Sequence, residues 1–156
     1  MSFMFLLIAL ALLCAPVFAQ QQPIDFPHNL HIEEGLECID CHSTVDTRAA
    51  ATLPSVRKCM LCHEKVATDG PGVTALRDYA EKRREVPWVR VYGFTESAHV
   101  KFRHSPHIQA KVACQICHGS VKNMTTATRV VNHTMGTCVN CHRRNQASDD
   151  CAVCHY

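Results

Sequence analysis

The apolar and polar positions of this chain change character several times. "SFMFLLIALALLCAPVFAQ" is apolar from about Phe3 to Ala19 and turns polar at Gln20. Roughly seventeen apolar residues broken by Pro16 are short for a bilayer span of about 20. "VFA" before Gln20 fits a small-residue cleavage site, so residues 1–19 are expected to be a secretory signal, or a short anchor if retained. No Lys or Arg precedes the run, and Leu13 before Cys14 is too large for a lipoprotein signal. Further on, "DGPG" signals a turn. After it, Val73, Leu76 and Ala80 form an apolar stripe, with Arg77–Glu81 and Asp78–Lys82 at i,i+4 on the polar side, which predicts a helix of about three turns. "VPWVRVYGF" alternates enough for one short strand or an extended crossing segment. Trp88 and Tyr92 read there as packing residues, and "EKRRE" reads as a solvated helix face.

Composition shows what this pattern lacks. Only about a quarter of the residues after position 19 are large and apolar, which is thin for a self-sufficient core in a chain of 156 residues. Something other than side chains is expected to fill the interior.

The cysteines supply the candidate. Eleven are present, and all but Cys14 fall into C-x-x-C pairs: "CIDCH", "CMLCH", "CQICH", "CVNCH" and "CAVCH". Two thiols at that spacing can chelate zinc, close a small disulfide ring, or form thioethers to a haem. The histidine that follows every pair separates these readings. With 11 histidines in 156 residues, five such placements by chance have odds of roughly a few in a million. Zinc ribbons need no histidine after each pair, and a thioredoxin-like motif occurs once, near a βαβ pattern absent here. C-x-x-C-H is the attachment signature of c-type haem: two cysteines bond the vinyl groups, and the adjacent imidazole ligates the iron. An exported chain in an oxidising compartment suits this reading, because the attachment uses all ten cysteines.

Five covalent haems c are therefore expected. They attach at Cys38 and Cys41, Cys59 and Cys62, Cys114 and Cys117, Cys138 and Cys141, and Cys151 and Cys154. The proximal ligands are His42, His63, His118, His142 and His155. Six histidines remain, enough to give every iron a sixth ligand. An internal repeat selects four of them. "FPHNLHIEEGLECIDCH" and "FRHSPHIQAKVACQICH" both read F-x-H-x-x-H-I, with the second histidine seven residues before the first cysteine. Histidines at i and i+3 lie about 60° apart around a helical turn, so one segment can serve two neighbouring haems. His28, His31, His104 and His107 are the expected distal ligands, and Phe26 and Phe102 are expected on a porphyrin face or in ordinary packing. The fifth distal ligand is open between His133, Met135 and Met124, a thioether giving that haem the higher potential. His99 has no counterpart in the first repeat and reads as a surface residue.

With these residues placed, the chain resembles the class III, c7-like multihaem cytochromes, and within them the pentahaem cytochrome subunit of bacterial alternative complex III and its relatives. The residues that carry the likeness are "FPHNLH", "CIDCHS", "LPSVRKCMLCH", "PWVRVYGF", "FRHSPHIQAKVACQICHGSVKNM", "MGTCVNCHR" and "CAVCHY". The resemblance implies a mostly irregular fold of short α-helices with a core of stacked haems. It divides the chain into a dihaem module (20–72), a helix and extended linker (73–98) and a trihaem module (99–156). It also implies a periplasmic or membrane-associated electron carrier. The expected partners are iron–sulfur or molybdopterin-like and quinone-binding membrane subunits on one side, and a downstream cytochrome or oxidase on the other.

No catalytic residue is expected, since the ligand supply leaves no iron with a forced vacancy. The alternatives are an oxyanion reductase, which needs an open iron, and an extracellular metal-reducing cytochrome. The formal charge is +2, but five haems would add about ten propionates and bring the total near −8, so the sequence charge is a poor guide to partners. Nothing in the sequence forms a basic-aromatic patch for nucleic acid.

Overall fold

Short helices form wherever a C-x-x-C-H motif or a histidine pair supplies a single turn, and irregular chain joins them. The computed structural model describes residues 21–156; the expected signal segment and Cys14 lie outside the described residues. The elements are α1 (His28–Glu33), α2 (Cys38–Cys41), α3 (Val56–His63), α4 (Pro71–Glu81), α5 (His104–Gln109), α6 (Cys114–His118), α7 (Met135–Arg144) and α8 (Cys151–Cys154). Two 3-10 turns, Glu96–Ala98 and Val121–Asn123, complete them. The sole β pairing among the described residues is an antiparallel bridge between Val100 and His155. No described helix is long and apolar enough to cross a membrane.

Local chemistry accounts for the helix starts. Ser55 Oγ accepts from Lys58 N–H before α3, Thr134 Oγ1 accepts from Thr137 N–H before α7, and Asp150 accepts from Ala152 N–H before α8. Glu37 and Asp40 cap α2 reciprocally. Helix α4 begins with Gly70 as its cap and Pro71 in the first turn, where the missing N–H costs nothing. Its Leu76 is buried, and Asp78 pairs with Lys82 at 2.6 Å, as the spacing predicts.

Two expectations are corrected here, and one open alternative is decided. Arg77 does not pair with Glu81: its Nη2 donates to the carbonyl oxygens of His63 (2.7 Å) and Glu64, capping the C-terminal end of α3. Glu85, placed by sequence in a solvated run, accepts from Val56 N–H at 2.7 Å at the start of α3. Of the two alternatives for "VPWVRVYGF", the extended crossing segment is the one observed. It is held by Gln22, which donates to Val89 O and accepts from Val89 N–H.

Side-chain packing is as thin as the composition implies. The buried apolar residues are Ile24, Val56, Leu76 and Val86, with Met60, Tyr79 and Trp88 packed against them where α3 and α4 meet the extended segment. Trp88 is thus the packing residue expected of it. Long-range hydrogen bonds join the N- and C-terminal parts: Asn29 N–H to Met124 O, and His104 N–H to Ala49 O. The described fold is mostly irregular with short helices, as expected.

Candidate functional site

The repeat seen in sequence is a repeat in space. Two residues before α1, Phe26 stacks on His31 (4.3 Å between ring centroids, 26° between planes) and meets His28 edge-on (4.7 Å, 84°). Two residues before α5, Phe102 lies 5.0 Å and 32° from His107, and 4.8 Å and 85° from His104. Each phenylalanine therefore props its own two histidines. The i+3 spacing then directs the two imidazoles of a helix to different motifs.

His31 faces His63 of the second motif at 6.0 Å. His107 faces His142 of the fourth at 5.9 Å, and His104 faces His118 of the third at 6.2 Å. His28 lies beside His42 of the first motif. Burial, then the nearby charges of His42 and His31, lower its pKa. The same causes act on His118, burial first and then His104, His133 and His42.

These separations test the fit of a haem iron between the rings. Two metal–nitrogen bonds of about 2 Å, with about 1.1 Å from each nitrogen to its ring centre, require about 6.2 Å between centroids. The three observed gaps agree. Ring polarity agrees as well, because an imidazole that donates Nδ1–H to a carbonyl has the Nε2 lone pair free for a metal. His31 donates in this way to Pro27 O, His107 to Arg103 O and His104 to Ala49 O. The proximal His42, His63, His142 and His155 donate to the carbonyls of Thr52, Val66, Ser148 and Ala98. His28 departs from this pattern: its buried Nδ1 has no hydrogen-bond partner. Among the described residues no three His, Cys, Asp or Glu side chains converge as a bare metal ion requires. The opposed pairs suit haem better than zinc.

The ten motif cysteines are partly or fully exposed, and none is paired in a disulfide among the described residues. Burial pushes several of them up, and neighbouring thiols of other motifs push them further. Cys114 acts on Cys38, Cys41 on Cys59, Cys141 and Cys138 on Cys117, and Cys154 on Cys138. These effects link the second motif to the first, the first to the third, the third to the fourth and the fourth to the fifth. The fifth is tied in by Lys101 N–H to Cys154 O and by Tyr156 N–H to His99 O.

The remaining candidates for a distal ligand behave differently. His133 lies 6.2 Å from His118, but its Nε2 donates to Cys117 O at 2.7 Å. Met135 opens α7 with its side chain 72% exposed, and Met124 offers its main-chain oxygen to Asn29. His99 is exposed, edge-on to Tyr156 at 5.6 Å. Tyr92, expected as a packing residue, packs its ring at 90° and 4.8 Å on His118, a partner the sequence did not name. Its segment has no counterpart in the first repeat, so spacing gave no signal.

Fold and site together are those of a multihaem c-type cytochrome, an electron-transport protein that binds haem, and they are similar to the class III family. The model of the class III cytochrome c family matches residues 13–86, which include the first two motifs. The chain is also 28% identical over 164 residues, covering 87% of this chain and 77% of the relative, to the menaquinone reductase multihaem cytochrome c subunit of Nitratidesulfovibrio vulgaris.

Proposed function

We propose that this chain is a periplasmic pentahaem electron-transfer subunit of a membrane-associated, quinone-linked oxidoreductase complex. The observation that carries the reading is the opposition of histidines from different segments at 5.9–6.2 Å, with Nδ1 of His31, His104 and His107 held by carbonyls. Haem bound there supplies a reversible one-electron couple. The chain's own residues do the rest. The cysteines would fix each porphyrin by thioethers, and His28, His31, His104 and His107 would complete the ligation of the first four motifs. The Nδ1–H bonds hold tautomer and ring orientation, and they raise ligand basicity.

The influence of successive motifs on one another supports a row of haems running from the second motif to the fifth. Quinone chemistry enters by similarity: the relative is a menaquinone reductase subunit, and the resemblance to alternative complex III points to the same kind of membrane partner. An iron–sulfur or molybdopterin-like subunit at one end and a downstream cytochrome or oxidase at the other fit such a row. Alternative complex III is the particular assembly that the sequence resembles.

Intact-mass measurement of the exported protein, combined with purification from native membranes, tests the reading. Five haem masses on a chain starting near Gln20, copurifying with a quinone-reactive complex, are the expected results. Four haems or fewer would sink it. A large high-spin signal that binds nitrite in the unmutated protein would favour the oxyanion-reductase reading instead.

A further inference from the structure

The third motif is held differently from the others. His42, His63, His142 and His155 each donate Nδ1–H to a carbonyl, whereas His118 makes no such bond among the described residues. Its surroundings are aromatic. The ring of Tyr92 stands at 90° to it, 4.8 Å away, and stacks on His133 at 4.9 Å and 30°. Tyr92 is itself fixed: its Oη accepts from Val130 N–H (3.0 Å) and Val131 N–H (3.2 Å). The Arg129 guanidinium lies 5.5 Å from its ring centre and donates to the carbonyls of Val91 and Gly93. Gly119, next to His118, packs so closely on Val130 that a Cβ would overlap it.

We propose that His133 and Tyr92 are positioning residues of the third motif: His133 holds the motif's backbone by donating Nε2–H to the Cys117 carbonyl rather than ligating iron, and Tyr92 braces the His118 ring. This rests on the haem reading above. An imidazole nitrogen that carries a proton into a 2.7 Å hydrogen bond has no lone pair left for a metal. The partner facing His118 with a free Nε2 is His104, whose Nδ1 donates to Ala49 O. Without an Nδ1–H bond to a carbonyl, His118 is the less basic proximal imidazole. The third iron is then easier to reduce than the other histidine-paired irons.

The test compares holoprotein variants by haem mass, electron paramagnetic resonance, carbon monoxide binding and potentiometric titration. His104→Ala is the control and should open one iron to carbon monoxide. His133→Gln keeps an N–H donor for the Cys117 carbonyl but has no imidazole. It should retain five haems, open no additional iron and leave the potentials as in the unmutated protein. His133→Ala, if it matures, should also open no iron but should shift the potential and resonance of one haem. A new carbon monoxide-binding iron in either variant, or loss of haem from His133→Gln, overturns the proposal. Fewer than five haems in the unmutated protein would instead defeat the reading on which it rests.

Discussion

The imidazole rings of His107 and His142 lie 5.9 Å apart, one on α5 and the other on α7. His31 and His63 repeat this relationship at 6.0 Å between α1 and α3. In both, the second histidine of a repeat helix reaches past its own motif to the next motif along the chain. A six-residue helix thus acts as a clip between two attachment points, one imidazole for each.

Breaking one clip should change spin state without losing cofactor. His107→Ala is expected to convert one low-spin iron to a high-spin form that binds carbon monoxide, with haem mass unchanged because the thioethers remain. Paramagnetic resonance and mass spectrometry together check it. Release of the haem, or no new ligand-binding iron, would refute the pairing.

Folding should require the cofactor. Four apolar side chains are buried among the described residues, too few to offset the conformational entropy of the chain. Expression without the haem-attachment machinery is expected to give a degraded or unfolded chain by circular dichroism and proteolysis. A cooperatively melting apoprotein would contradict this.

Gly119 should tolerate no side chain. It has φ +70°, and its Cβ position is taken by Val130 Cγ2. Gly119→Ala is expected to lower stability by about 2 kcal/mol or more, from backbone strain plus overlap. Gly35, at φ +87° with nothing near its Cβ, should lose only the backbone share, about 1 kcal/mol, on substitution by Ala. Denaturant midpoints of the two holoproteins give the comparison, and equal losses would remove the overlap argument.

Charge alone does not decide which polar residues matter. Arg77→Met should cost about 1–3 kcal/mol by leaving the His63 and Glu64 carbonyls without their donor. Asp78→Asn, in the exposed pair with Lys82, should cost no more than about 0.5 kcal/mol. Thermal unfolding of both variants checks the ranking, and a larger loss from Asp78→Asn would reverse it.

What the sequence determined by itself is the covalent chemistry and its repetition. Five C-x-x-C-H units, and two F-x-H-x-x-H segments at equal distance from their cysteines, name the expected attachment residues through local spacing alone. The helix over Pro71–Glu81 and the scarcity of core residues were legible for the same reason, since periodicity and composition are properties of neighbouring positions. The tertiary structure decided which histidine faces which. It also turned Nε2 of His133 to a carbonyl, set Tyr92 against His118, and sent Arg77 to the end of α3 instead of to Glu81. Those relationships join segments far apart along the chain. They depend on where the intervening loops run, and a ring's two nitrogens are told apart only by the groups that surround them.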